Sequence, residues 1–334
     1  EGAILDFTKS IEANNNIALS YYHRGIVKYK LKDSKAAIAD LDMAIEIDPQ
    51  NADFYYVRGI ARVLAEDYKA AITDLKKSIE LYPQNKNAYL YKGIAWEKQR
   101  IMRESILSYN EAIRVDSTFA RAYYRRACVK EELEDFRGAI ADYTAAIGND
   151  TKYVDAYNGR GDAYFELKNF TMAVKDYTMT ISLDPDNNHA YNHRGVAKFR
   201  LQDYYGADKD FSKSISLDPN NFEAYMFRGN ARMKLEKYQG ALNDFTKAVG
   251  INSKSPEAHC RKGDAKFKLK KYAGAVEAYS SAIALNQKSA NAFMGRGLAK
   301  LENEDLDGGC MDLSKAGELG NFKAYGIIKE RCNN

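Results

Sequence analysis

The sequence repeats every 34 residues without an insertion, and this period constrains the fold more than any other feature. Counted from Ala18, nine consecutive units begin at residues 18, 52, 86, 120, 154, 188, 222, 256 and 290. A period of this length is typical of repeat proteins, in which each unit buries its apolar face against its neighbours. The chain is therefore expected to form one continuous array, although its 334 residues would otherwise suggest two domains.

Two positions in each unit carry small residues, and a third carries a ring. The eighth position is Gly, except for Ala127 in the fourth unit, and the twentieth is Ala except for Ser105 and Gly309. The fourth position is Tyr in seven units, followed by His259 and Phe293. Small residues at both positions indicate two helices that cross closely, because larger side chains would hold the backbones apart.

These positions resemble the tetratricopeptide repeat (TPR), a helix-turn-helix unit of the same length, over residues 1–323. The family's usual leucine before the glycine is replaced here by a cation. The resemblance implies an all-α, right-handed superhelical solenoid. The last stretch, from Gly309 to Cys332, resembles the ending of many bacterial TPR proteins.

The resemblance also divides the chain. Residues 1–17 match only the second helix of a unit, so we expect the native chain to extend upstream of Glu1. The expected single array 1–334 consists of half-repeat 1–17, repeats 18–51, 52–85, 86–119, 120–153, 154–187, 188–221, 222–255, 256–289 and 290–323, and capping helix 324–334.

A charge pattern runs through the units. Seven units have Arg before the small eighth residue and Asp sixteen positions later, whereas the two units with Lys have lost the Asp. We therefore predict bidentate pairs between the two helices of one unit, because only Arg offers a planar fork. The predicted pairs are Arg24 with Asp40, Arg58 with Asp74, Arg126 with Asp142, Arg160 with Asp176, Arg194 with Asp210, Arg228 with Asp244 and Arg296 with Asp312.

By resemblance, the first helices line a concave groove in which ligands of such solenoids bind. The groove positions are aromatic and apolar in the N-terminal units, polar in the middle, and again apolar beyond. Tyr and Met on such a surface suit a peptide, and a pair of Arg could hold a carboxylate. The predicted ligand-binding residues are Tyr22, Tyr56, Ile60, Tyr91, Arg121, Tyr124, Arg125, Asn158, Asn192, His193, Met226 and Phe227.

The function predicted from these features is a non-catalytic scaffold or adaptor that binds a peptide or protein. One alternative is an interaction module of a larger protein whose upstream part carries the activity. The carboxylate clamp for chaperone C-termini is not expected, because Tyr56, Ile60 and Tyr91 stand where that motif needs Lys and Asn. An RNA-binding helical repeat is disfavoured, since acidic residues outnumber basic ones over the groove positions.

No cofactor, metal site or catalytic residue is predicted. His189 and His193 share one helix face and could hold a metal with Asp155 or Glu223, but solvated groove positions explain them better. The glycines follow the repeat and form no phosphate loop. No apolar run is long enough for a membrane span.

Compartment and oligomeric state stay open. Four cysteines are too few for a disulfide framework. Cys310 lies on the last second helix and Cys332 on the cap, so a disulfide between them is conceivable and would imply an oxidising periplasm. The alternatives are therefore the cytoplasm and the bacterial periplasm.

Overall fold

The computed structural model describes residues 2–332, which form an all-α repeat solenoid with no strand in that range. A lone helix, α1 (Gly2–Ala13), precedes nine pairs, and α20 (Lys323–Arg331) follows them. The first helices of the pairs are α2 (Ala18–Lys30), α4 (Ala52–Leu64), α6 (Lys86–Lys98), α8 (Ala120–Glu132), α10 (Val154–Glu166), α12 (Asn188–Arg200), α14 (Phe222–Lys234), α16 (Pro256–Lys268) and α18 (Ala290–Glu302). The second helices are α3 (Ser34–Ile47), α5 (Tyr68–Leu81), α7 (Met102–Val115), α9 (Phe136–Asn149), α11 (Phe170–Leu183), α13 (Tyr204–Leu217), α15 (Tyr238–Ile251), α17 (Tyr272–Leu285) and α19 (Leu306–Glu318).

The chain forms two compact units, one ending at Leu167 and the other beginning at Lys168. Within each unit, each helix packs against the next in sequence, and consecutive first helices also touch. The boundary falls between the two helices of the fifth repeat. The division of the whole chain into one array with a half-repeat and a cap stays a prediction. Three of its residues, Glu1, Asn333 and Asn334, lie outside the described range.

Capping residues explain where the helices begin. An Asp precedes several second helices and accepts a hydrogen bond from the backbone N–H three residues later, as Asp33 does from Ala36 and Asp203 from Gly206. Asn or Ser does the same for several first helices, as Asn221 does for Ala224. Each cap satisfies one of the backbone donors that a helix start leaves free.

Every first helix of the nine pairs ends in the same way. The second residue after the helix has a left-handed backbone, with φ between 58° and 66°, and none of these residues is glycine. In the first pair, the N–H of Lys32 bonds to the carbonyl of Tyr29 and that of Asp33 to the carbonyl of Lys28. These two hydrogen bonds close the helix and turn the chain into the next helix. The nine residues are Lys32, Glu66, Arg100, Glu134, Lys168, Gln202, Glu236, Lys270 and Glu304.

The small eighth residue lets the two helices of a pair approach each other. A Cβ atom added to Gly93 would lie 2.4 Å from the ring of Tyr109, and one added to Gly229 would lie 2.5 Å from the ring of Phe245. Both rings are fully buried. A larger eighth residue would therefore separate the helices and open the core.

The repeated Arg joins three helices. Arg194 donates two hydrogen bonds to Asp210 of its own pair, at 2.9 and 2.7 Å, and a third to Thr178 of the preceding second helix, at 3.0 Å. Its guanidinium also lies 5.6 Å from the ring centre of Tyr191. Lys198, one helical turn later, reaches the same Asp210 at 2.7 Å.

The same bidentate contact recurs in both compact units. It joins Arg24 to Asp40, Arg58 to Asp74, Arg126 to Asp142, Arg194 to Asp210, Arg228 to Asp244 and Arg296 to Asp312. Arg160 and Asp176 fall in different compact units, and their pairing stays a prediction. The third repeat has Lys92 opposite Ser108, and burial together with the charge of Lys76 lowers the pKa of Lys92.

The C-terminal end is closed by a covalent bond. A disulfide joins Cys310 of α19 to Cys332, directly after α20. The bond lies beside a cluster of apolar side chains that includes Leu313, Ala324 and Ile328. Cys128 and Cys260 are free and partly buried.

We predict that Arg194→Lys lowers the free energy of unfolding by about 1 to 2 kcal/mol, because lysine cannot bond to both Asp210 oxygens and to Thr178 together. Urea denaturation followed by circular dichroism measures the change. Lys92→Arg is the matched control and should give no gain, since Ser108 offers no carboxylate. Equal stability of wild type and Arg194→Lys would show that the bidentate contact with Asp210 is not needed.

A second prediction concerns the left-handed residue. Glu236→Gly should raise the free energy of unfolding by roughly 0.5 to 1 kcal/mol, because glycine removes the Cβ strain at this backbone conformation. The same measurement on Lys247→Gly, exposed in the middle of α15, should show a loss of about 1 kcal/mol. A loss in both variants would contradict the argument.

Candidate functional site

In the first compact unit, the first helices present a tyrosine cluster, defined here as Tyr29, Tyr56, Tyr91 and Arg121. The rings of Tyr56 and Tyr91 meet edge to face with their centres 6.1 Å apart, and the guanidinium of Arg121 lies 5.5 Å from the ring centre of Tyr91. Burial, followed by the neighbouring Tyr91, raises the pKa of Tyr29 and of Tyr56. The cluster is thus a set of three phenol rings with the guanidinium of Arg121 beside one of them.

Carboxylates on the same face are held by tyrosine hydroxyls from the core. The hydroxyl of Tyr109 donates to Glu97 at 2.6 Å, and that of Tyr143 donates to Glu131 at 2.6 Å. Arg125 lies 3.5 Å from Glu97. Burial raises the pKa of Glu131. These carboxylates are therefore held in fixed positions by hydrogen bonds from the core.

In the second compact unit, the first helices enclose a cleft of about 550 Å³, here called the basic cleft. Its floor includes the rings of Phe199 and Phe227, whose centres are 6.4 Å apart. Phe227 also stacks on the fully buried Phe211 at 5.8 Å, which fixes its ring. The remaining lining residues are Arg200, Asn230, Met233, Lys234, Arg261, Asp264 and Lys268.

An apolar cleft of about 360 Å³ adjoins the basic cleft and shares Met233, Asp264 and Lys268 with it. Its walls include Phe267, Met294 and Leu298. Asp264 accepts a hydrogen bond of 2.7 Å from the hydroxyl of Tyr279, and burial raises the pKa of this carboxyl. A third cleft of about 430 Å³ again includes Asp264. The three clefts together form a continuous, partly apolar surface.

Comparisons with known proteins bear on this helix-pair architecture. Models described as tetratricopeptide repeat match residues 18–51, 56–118, 120–153, 154–187, 189–221 and 222–255, and a model described as TPR repeat matches 263–303. The chain belongs to the tetratricopeptide repeat family. The comparison with curated proteins gives no match.

Solved TPR structures share the fold. The C-terminal part of a TPR repeat-containing protein from Cytophaga hutchinsonii is 17% identical, with a TM-score of 0.57 over 72% of this chain and 98% of that one. A TPR protein from Parabacteroides merdae is 19% identical, with a TM-score of 0.52 over 75% and 100%. YrrB, described as a TPR protein with an unusual peptide-binding site, is 23% identical, with a TM-score of 0.45 over 55% and 95%.

The predicted ligand-binding residues of this TPR chain fall into two groups. Ile60, Asn192 and Met226 are buried, with 6% to 8% of their surface exposed, and offer little to a ligand. They lie on the side of their helices that packs into the array. The others keep more exposed surface: Tyr22, Tyr56, Tyr91, Arg121, Tyr124 and Arg125 in the first compact unit, Asn158 near its end, and His193 and Phe227 in the second.

His193 is less open than the sequence predicts. It stacks on His189 with ring centres 3.9 Å apart, and burial together with His189 lowers its pKa to about 4. Tyr124 packs against Tyr153 at 4.9 Å. Both residues are therefore partly used in packing within the TPR array.

Sequence reasoning missed Phe199 and Asp264 as site residues. Both occupy groove positions that the resemblance identifies, the twelfth and the ninth of their repeats. The signal that could have found Asp264 is the tyrosine fifteen residues later, Tyr279, whose hydroxyl needs an acceptor where its ring is buried. Among residues 2–332, no helix combines the length and the apolar character that a membrane crossing requires.

We predict that Asp264→Asn raises the stability of the TPR array at neutral pH. The raised pKa means that the folded chain disfavours the charged form of Asp264. The wild type therefore loses stability as the pH rises from the pKa of this carboxyl in the unfolded chain to its higher pKa in the folded chain. The amide oxygen of Asn can still accept from Tyr279. Urea denaturation at several pH values should show the two proteins converging as the pH falls toward about 4. A variant that is less stable at neutral pH would contradict this reasoning.

Proposed function

We propose that this TPR chain is a non-catalytic scaffold that binds a peptide or protein segment on the face formed by its first helices. TPR repeats are protein-interaction scaffolds, and TPR proteins bind protein or peptide partners. The proposal adds the site to this family role. It treats residues 1–334 as one array of nine repeats, with a half-repeat and a capping helix at its ends.

The observation that carries the proposal is the fixed aromatic surface beside an open cleft. Phe227 is held by its stacking on Phe211, and Phe199 meets it edge to face. Rings that are already ordered offer apolar contact without losing rotamer freedom when a ligand arrives. The tyrosine cluster of the first compact unit has the same character, since Tyr56, Tyr91 and Arg121 hold one another in place.

Polar groups on this face suit a peptide backbone. Asn230 lines the basic cleft and Asn291 the adjoining apolar cleft, and each carries both a donor and an acceptor. A few polar groups placed among apolar contacts fix the orientation of a bound ligand.

The groups most suited to covalent chemistry are not activated. Burial raises the pKa of the Cys128 thiol, and it raises that of Cys260 to about 11. A thiol needs the opposite shift to act as a nucleophile. This supports a binding role over a catalytic one.

A displayed library of random short peptides tests the proposal on the immobilised full chain. Peptides enriched on the wild type should lose binding to Phe227→Ala or Tyr91→Ala, depending on the compact unit they occupy, because each change removes a fixed ring. Tyr205→Ala, which removes an exposed ring from a second helix, is the matched control and should keep binding. Circular dichroism confirms that each variant is folded. Enrichment that survives both groove changes would place the site elsewhere.

A further inference from the structure

Three cations form one edge of the basic cleft. Arg200, Lys234 and Lys268 are the last residues of α12, α14 and α16, so they occupy the same position in three consecutive repeats. All three line the basic cleft and are exposed. Within residues 2–332, none of them forms an ion pair with a carboxylate. The cleft also contains Asp264, whose pKa burial raises and the charge of Lys268 lowers, but this carboxyl is already bonded to Tyr279. The row of cations is therefore open to an anionic ligand.

The contrast with neighbouring cations is sharp. Lys198 and Arg232 lie two residues before Arg200 and Lys234 on the same helices, and each is bound to an Asp of its own repeat at 2.7 and 2.8 Å. Those cations are part of the packing between helices. The row at the helix ends has no such role, which leaves it available to a ligand.

The surface is polarised along these helices. Glu223 and Glu257 are exposed second residues of α14 and α16, at the opposite ends from Lys234 and Lys268. Eleven residues of helix separate the two edges by about 16 Å. A chain that crosses the helices would therefore meet cations on one side only. A uniformly anionic polymer such as RNA would meet the glutamates as well.

Spacing restricts the conformation of the ligand. Packed helices lie about 8 to 10 Å apart, so the three cations should follow one another at about that interval. A polyproline II segment rises about 3.1 Å per residue with three residues per turn, which brings every third side chain to the same edge at about 9 Å. A β-strand repeats its side-chain direction at about 6.6 Å and would lose register with the second cation.

Beside the cations, the cleft offers apolar side chains as well as Asn230, Arg261 and Asp264. Phe199, Phe227 and Met233 line the basic cleft, and the adjoining cleft adds Phe267 and Met294. These walls can take aliphatic side chains that point into the surface when the acidic ones point along its edge. The ligand should therefore carry an acidic residue at every third position and an apolar residue between successive acidic ones.

We propose that the second compact unit binds an extended, acidic protein segment with Asp or Glu at every third position and an apolar residue between, its acidic edge on Arg200, Lys234 and Lys268. This inference rests on the proposed function, and it adds the chemistry and the register of the partner. The occupant is a segment of another protein in polyproline II conformation.

A labelled peptide of repeated Glu-Pro-Leu is the probe, and fluorescence anisotropy with the full chain measures its affinity. A peptide of the same composition with all glutamates grouped at one end is the control for register. The regular peptide should bind at least about tenfold more tightly, and its binding should weaken as salt is added. Equal affinity for the two peptides would overturn the proposed register.

Charge reversal locates the site. Lys234→Glu should weaken binding of the regular peptide by at least about tenfold, whereas Lys247→Glu, the same charge change on the exposed face of α15, should leave it within about twofold. Equal weakening by both variants would reduce the effect to net charge and overturn the inference. Tighter binding of an oligouridylate than of the peptide would overturn it in favour of RNA.

The outcome is separable from that of the proposed function. If peptides selected from the random library bind the groove while the Glu-Pro-Leu peptide does not, this inference fails and the scaffold role stands. If neither the selected peptides nor the Glu-Pro-Leu peptide binds, both fail.

Discussion

The bidentate contact of the repeated arginine with the aspartate of its own repeat is the interaction on which the rest of the structure depends. A solenoid repeat has to fix two relations, that between its own helices and that to the preceding repeat, and Arg194 does both by bonding to Asp210 and to Thr178. Its Asp is 4% exposed, so removing the Arg would leave a nearly dry carboxylate with Lys198 as its cation and without the bidentate hydrogen bonds. This explains why the sequence changes both partners together. In the third repeat, Lys92 stands opposite Ser108 and close to Lys76, where an Arg would find no carboxylate at the position that Asp occupies in the other repeats with Arg.

In six repeats a ring occupies the twenty-fourth position, and in several of them it connects the core to the face formed by the first helices. Where this residue is Tyr109, Tyr143 or Tyr279, its hydroxyl reaches a carboxylate on the first helix. Where it is Phe211 or Phe245, the same repeats have no acid at those groove positions and carry the aromatic and Met side chains of the basic cleft instead. The hydroxyl on this buried ring therefore decides whether a repeat presents a fixed carboxylate or an apolar surface. A buried hydroxyl must find an acceptor, whereas a phenylalanine ring needs none.

Much of the fold follows from the sequence because the period sets helix positions by comparison of nine units within one chain. The Arg to Asp contact could be predicted in the same way. Two further partners in this contact could not be predicted, because their residue types vary between repeats. The second cation, such as Lys198, is Lys or Arg, and the acceptor from the preceding second helix is Thr, Ser, Asn or Asp. The site was harder to predict. Ile60 and Met226 share groove positions with residues of other repeats that are only partly buried, so the position in the repeat does not by itself predict exposure.

Net charge gives a misleading picture of such a surface. The chain carries a formal charge of +4, and the groove positions as a whole have an acidic surplus, which together argue against any basic site. The structure divides these charges by role. The repeated Arg and several second cations are ion-paired inside the array with the buried Asp, and Glu97, Glu131 and Asp264 accept hydrogen bonds from tyrosine hydroxyls. Along α12, α14 and α16, the exposed cations without an ion pair among the described residues include the row Arg200, Lys234 and Lys268, which lines the basic cleft together with Phe199 and Phe227. A local field of this kind is set by which charges are left unpaired, and their number in the composition has little bearing on it.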